Sequence, residues 1–225
     1  MRNFLILCAA LASTSLLAND VVRTGKVSAV DPNTNQKKEI QIFNRVNVNN
    51  EYNVMRFFFT YTCDYGAKYD KEMAQWGKTL PRNFKYVRVP VVTQEPHSIV
   101  GTFAFYAAQQ TDKSKLDLFQ HHAFNLIQNK GKSPSDQWTY LDAAKLAGMN
   151  TKLFQNNWGT ERTKKLVKNA VILGAKYKIS QTPTLTVGGI YSINPEPLAE
   201  SNTSFVEFAN AIASKFIAEN GMAIK

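Results

Sequence analysis

The residues of this chain best suited to chemistry stand at 63–66, Cys63-Asp64-Tyr65-Gly66, directly after the apolar and aromatic run from Val54 to Tyr61. A cysteine there is a potential nucleophile, because the thiolate rather than the thiol attacks a disulfide. The preceding run reads as a strand buried on both faces, and Asp64 and Gly66 are turn formers, so Cys63 falls at a strand-to-helix junction. Unpaired backbone N–H groups and the positive end of the dipole at a helix start favour an anionic sulfur. Asp64 puts a carboxylate in the same first turn and opposes that preference, which makes it a modulator of the thiol's acidity. An inert core cysteine is the plainer alternative, and the junction argues against it.

The cysteine count sharpens the question. The chain has two cysteines, Cys8 and Cys63. Met1-Arg2-Asn3 is a short positive segment, and Phe4 to Leu17 is almost wholly apolar or small, too short to span a bilayer at about 20 residues. A secretory signal peptide over residues 1–18, cleaved after Ala18, is the expectation. Leu7 before Cys8 departs from the small residue that a lipid-attachment motif wants. Removal of residues 1–18 would leave Cys63 alone in an oxidising compartment, with no internal disulfide open to it. Such a thiol either pairs with another molecule or stays reactive.

Stepping outward, Glu39 to Phe43 reads as a first strand after the turn signal Asp31-Pro32-Asn33-Thr34-Asn35. The helix after Cys63 carries Tyr69, Met73 and Trp76 on one side. Tyr86 to Val92 is the next strand, with Pro90 placing its end or an edge there. Residues 98–177 look helical throughout, with Leu116, Phe119, Ala123, Leu126 and Ile127 at helix spacing. Ser133-Pro134-Ser135-Asp136 reads as a helix start capped by Ser133. A long helix from Glu161 to Tyr177 follows, with Leu166, Val167, Ala170, Leu173 and Tyr177 on its apolar side. Then come Ser180-Gln181-Thr182-Pro183, a strand Thr184 to Val187, a Gly188-Gly189 turn and a strand Ile190 to Ile193. Ser204-Phe205-Val206-Glu207 is a capping box opening a last helix that buries Phe205, Phe208, Ala209, Ile212 and Phe216. The order describes an α/β unit interrupted by a block of helices.

Two segments carry a resemblance to a known family. Phe57-Phe58-Phe59-Thr60-Tyr61-Thr62-Cys63-Asp64-Tyr65-Gly66 is similar to the aromatic strand and C-x-x-C helix start of the DsbA family of thioredoxin-fold thiol-disulfide oxidoreductases. Lys178 to Gly189 resembles that family's cis-proline loop with the strand and hairpin after it. The segment from Leu146 through Trp158 to the long helix is similar to its helical insertion. The resemblance implies a thioredoxin-like domain from 19–97 and 178–225 with a helical insertion at 98–177. It implies that Pro183 is cis beside the sulfur and that Thr182 pairs its backbone with a substrate strand. Tyr61 and Tyr65 flank the thiol, as contacts for a bound peptide or as core packing. Gly66 stands where the family has its second, resolving cysteine, so a mixed disulfide at Cys63 must wait for an outside thiol.

Three functions follow as expectations. The first is single-cysteine thiol-disulfide exchange, with mixed disulfides to exported proteins or peptides or to glutathione as co-substrate. The second is a redox-inactive binding or scaffold protein of the cell envelope using the cis-proline groove. The third is a glutathione-binding protein resembling the kappa-class transferases. A periplasmic location goes with the signal peptide. No metal site is expected: His121 and His122 are adjacent on a helix, and they and His97 read as solvated helix residues. The net charge of +10 is spread out, densest at Lys37-Lys38, Arg162, Lys164-Lys165 and Lys168. It suits weak association with anionic envelope surfaces rather than nucleic acid, which would need an aromatic-basic stripe.

Overall fold

In a computed structural model, which describes residues 26–30, 37–41, 43–198 and 204–220, the aromatic run forms the strand beside which everything else is arranged. β1 (Lys26–Val30) and β2 (Lys37–Gln41) pair antiparallel in a small sheet of their own. β3 (Phe43–Arg45), β4 (Val54–Phe59), β5 (Lys85–Pro90), β6 (Thr184–Val187) and β7 (Tyr191–Ile193) make a five-stranded sheet in the order β3-β7-β6-β4-β5. Only β4 and β5 are parallel, with Phe59 opposite Pro90. The expected signal peptide, Cys8 and the expected turn at 31–35 lie outside the described residues. The strand expected over 39–43 is a correction: its two ends belong to different sheets, β2 ending at Gln41 and β3 beginning at Phe43.

β4 lies between β5 and β6, which is why it reads as an unbroken apolar run: Phe57, Phe58 and Phe59 are fully buried. Phe58 packs on Tyr177, and Phe59 packs on Tyr61, Phe105 and Phe124. β5 is an edge strand and stops at Pro90, whose ring removes a ladder donor. α1 (Asp64–Gly77) follows β4 and buries Tyr69, Met73 and Trp76.

Between β5 and β6 runs the helical block: α2 (Pro96–Thr111), α3 (Leu116–Phe124), a π turn (Asn125–Asn129), α4 (Gln137–Leu146), α5 (Thr151–Trp158) and α6 (Glu161–Lys176). It begins two residues before the expected 98. The cap expected at Ser133 is also corrected. Pro134 and Ser135 form a turn, and Asp136 is the N-cap of α4, accepting from the Trp138 N–H at 2.9 Å. An aspartate at the residue next to the helix competes better for that donor than a serine a turn earlier.

The hairpin after β6 turns on Gly188 and Gly189, both at positive φ. A Cβ on Gly188 would sit 2.2 Å from the Phe216 ring, so this turn also lets the last helix approach the sheet. α7 (Phe205–Asn220) opens with the expected box: the Glu207 N–H donates to Ser204 Oγ, and the Ser204 N–H donates to Glu207 Oε2. Phe205, Phe208, Ala209, Ile212 and Phe216 are all buried.

Candidate active site

Cys63 is the N-cap of α1, with extended backbone (φ −90°, ψ 117°), and is half-buried. β4 delivers the chain into the core, and the turn Thr60–Thr62 lifts it back out, closed by the Cys63 N–H donating to the Thr60 carbonyl at 3.3 Å. The Gly66 N–H, one of the free donors of the helix start, points at Cys63 Sγ at 3.4 Å. From the other side the Cys63 thiol donates to the Thr182 carbonyl at 2.9 Å. The Thr182–Pro183 peptide is cis, Pro183 is buried, and the Thr182 hydroxyl lies 3.2 Å from that of Thr60. Thus Cys63, Gly66, Thr182 and Pro183, distant in sequence, meet at one point.

Asp64 is exposed in the first turn, where its carboxylate faces solvent. Tyr65 is half-buried and stacks on Tyr69, with ring planes 5° apart. Tyr61 is a correction to the peptide-contact role. It is 4% exposed, packed against Phe59, Phe124 and Tyr140, and its hydroxyl donates to the buried Gln120. Burial, and then Tyr140 beside it, push that hydroxyl well above its ordinary value of 10.0, so it stays a neutral donor. Its ring anchors the helical block to the turn carrying the thiol.

Four features escaped the sequence reading. Gln128, in the π turn, donates to the Tyr61 carbonyl at 3.0 Å and the Cys63 carbonyl at 2.9 Å, bracketing the nucleophile's backbone. The π turn, closed by Lys130 N–H to Asn125 O, inserts an extra residue per turn and so moves Gln128 off the regular helical stripe. His97 is half-buried rather than solvated and lies 3.4 Å from the Thr62 hydroxyl, one residue from Cys63. Asp70, on α1, takes a bidentate bond from Arg88 at 2.7 and 2.9 Å, and Arg88 reaches on to Asp117 of α3 at 2.6 Å. Burial pushes the Asp70 carboxyl up against the pull of Arg88, while Asp70 holds the buried guanidinium more firmly protonated than usual. A lone arginine inside an apolar strand was the available signal, since a buried cation demands a carboxylate.

With a half-exposed sulfur held between a helix-start N–H and a carbonyl, this arrangement can add covalently to a disulfide or a thiol-reactive group. No protein-family model matches the chain. It is 25% identical over 194 residues to the thiol:disulfide interchange protein DsbA of Pseudomonas syringae pv. tomato, covering 85% of each. In fold it is similar to the oxidoreductase NmDsbA1 from N. meningitidis, with a TM-score of 0.66 at 17% identity over 80% of this chain and 94% of that one. It is equally similar to Pseudomonas aeruginosa DsbA, with a TM-score of 0.66 at 16% identity over 81% and 94%. With the sequence relative spanning nearly the whole chain and the fold shared, the chain is similar in both sequence and fold to the DsbA family of thioredoxin-fold thiol-disulfide oxidoreductases.

Proposed function

We propose that this protein is an exported, periplasmic member of that family which works through one thiol. The Cys63 thiolate attacks a disulfide R–S–S–R′, forming Cys63–S–S–R and releasing R′–S⁻. A thiolate from outside, glutathione or a partner cysteine, then attacks the mixed disulfide and frees Cys63. Gly66 supplies no second thiol, so the adduct waits for that external step. The observation that carries this reading is the Cys63 sulfur held between the Gly66 N–H and the Thr182 carbonyl at the start of α1. When the thiol loses its proton, the sulfur keeps the Gly66 donor and gives up the Thr182 carbonyl. That carbonyl is then available to accept an N–H from the partner's extended chain, which is how Thr182 takes part in substrate binding beside Pro183.

The test is a periplasmic extract alkylated at harvest, comparing wild type with Cys63→Ser on non-reducing gels. Higher-mass species that vanish on reduction and are absent from Cys63→Ser are expected, on a chain starting near Asn19. A wild-type chain that carries no adducts, with its thiol fully alkylated, would refute the exchange reading. A chain retaining Met1 to Ala18 would refute the export.

A further inference from the structure

Next to the thiol lies a cleft of 290 Å³ walled by the end of β4, the β5–α2 loop and the loop before Pro183. Its lining is unusual in composition. Five hydroxyl-bearing residues line it, Thr60, Thr62, Thr93, Ser180 and Thr182, and the titratable residues of its lining are Glu95 and His97. It touches the reacting atoms through two neighbours, because Thr62 precedes Cys63 and the Thr182 carbonyl bonds the sulfur.

Glu95 occupies the N-cap position of α2, yet its side chain makes no capping bond. Ser98 instead ties the preceding loop to the helix, its hydroxyl donating to the Glu95 carbonyl at 2.7 Å and accepting from the Thr93 N–H at 2.9 Å. The Glu95 carboxylate has no ion-pair or hydrogen-bond partner among the described residues and is exposed. A helix start contributes only about half a positive charge. The cleft therefore presents a free carboxylate among neutral hydroxyls, although the chain as a whole carries a net charge of +10.

We propose that Glu95 is a specificity determinant: the partner that Cys63 engages is a peptide segment with a basic side chain close to its cysteine, rather than glutathione. The hydroxyls suit the alternating donors and acceptors of an extended backbone, and Glu95 pairs with the basic side chain. Glutathione brings two carboxylates and a net negative charge to the same place, where Glu95 repels it. The protein's positive field acts on every ligand, but it is screened beyond about 8 Å at physiological salt. The contact with Glu95 is short enough to survive that screening. This inference rests on the exchange chemistry proposed above.

The test uses short peptides with one cysteine activated as a mixed disulfide with 5-thio-2-nitrobenzoate, flanked by either lysines or glutamates, and glutathione activated in the same way. Attack by Cys63 at the peptide sulfur transfers the peptide to the protein and releases the coloured thiolate, whose appearance gives the rate. At neutral pH and near-physiological salt, the lysine-to-glutamate rate ratio in wild type should exceed that in Glu95→Gln by about two- to fivefold, the worth of one exposed ion pair. Glu95→Lys should lower the ratio further. Comparing variants cancels the contribution of the overall charge. Alkylation of Cys63 by neutral iodoacetamide, measured in all three, gives the intrinsic reactivity of each thiol, which cancels from the lysine-to-glutamate ratio. Equal ratios in wild type and Glu95→Gln, or glutathione outpacing the lysine peptide, would overturn the assignment of Glu95 while leaving the exchange chemistry standing. Failure of every activated disulfide to react would bring down the exchange chemistry, and this inference with it.

Discussion

Substituting cysteine at Gly66 should rebuild an internal disulfide, and the structure gives the geometry. A Cβ at position 66 would lie 3.4 Å from Cys63 Cβ and 3.7 Å from Cys63 Sγ. Disulfides place their Cβ atoms about 3.5–4.5 Å apart, so the gap is closable with an adjustment of a few tenths of an ångström. The Thr60 carbonyl, 3.3 Å from the same Cβ, must also give slightly. Glycine inside a helix costs up to about 1 kcal/mol relative to good formers, so the substitution repays part of that crowding. Closing so short a loop removes about 2 kcal/mol of unfolded-chain entropy, which sets a ceiling on how much the oxidised variant is stabilised over its reduced form.

The assay treats both proteins, freed of residues 1–18, with excess oxidised glutathione, then quenches with acid and measures intact mass and remaining thiols. Wild type should end as a glutathione adduct. Gly66→Cys should end with no adduct and a mass lower by two hydrogens, because the introduced thiol displaces glutathione from Cys63. The variant should then oxidise a reduced peptide dithiol unaided, whereas wild type should not. A variant that keeps its glutathione adduct, or that only cross-links into dimers, would refute the placement of position 66 against the sulfur. Wild type turning over a dithiol unaided would refute the argument that one thiol cannot complete the cycle.

Arg88→Met strands the Asp70 carboxyl in the core and should cost about 3–5 kcal/mol by urea denaturation, whereas Asp70→Leu with Arg88→Met should recover most of it. A double variant as unstable as the single one would contradict this. Burial raises the Asp117 carboxyl, but hydrogen bonds from Arg88 and Lys78 outweigh it and hold it below its ordinary value of 3.8. Its stabilising contribution is therefore present above that value and lost as pH falls below it. Asp117→Asn should cost a few tenths to about 1 kcal/mol at neutral pH, and the gap to wild type should close at more acid pH; a gap that persists there would count against the linkage. Gln128→Leu removes the donors from the Tyr61 and Cys63 carbonyls and should cost about 1–3 kcal/mol, with an unchanged urea midpoint as the contrary result.

The parts of this site that were readable in the sequence are those written in contiguous residues. Phe57-Phe58-Phe59 announces a strand buried on both faces because burial on both faces demands apolar side chains at successive positions. Ser204 to Glu207 announces a helix start because both capping bonds lie within four residues. What escaped depends on contacts across the chain. Asp70 sits among Tyr69 and Met73 on the buried side of α1, where an acid makes sense only once Arg88 is known to face it. Residues 39–43 carry one run of alternation, yet two sheets divide it, and no local pattern specifies which partner each half takes. Tyr61 shows why the open choice at that residue needed the structure. Tyr61 and Tyr65 flank the same cysteine in sequence, but around Tyr61 the helical block supplies Gln120, Phe124 and Tyr140 to enclose the ring.

The same enclosure holds the Cys63 site in shape. Three contacts tie the helical block to the segment around Cys63 from different directions: Tyr61 to Gln120, Gln128 to the Tyr61 and Cys63 carbonyls, and Asp117 through Arg88 to Asp70 of α1. None of them involves position 66. With glycine at position 66 all of them are in place, and the Gly66 N–H is directed at the sulfur, since a backbone donor needs no side chain. On the exchange proposed above, a site of this shape forms an adduct at Cys63 but needs an outside thiol to complete a cycle. On the proposed exchange the lifetime of that adduct would be set by whichever external thiol can enter the cleft beside Cys63, so Glu95 and its neighbours would act on release as well as on capture.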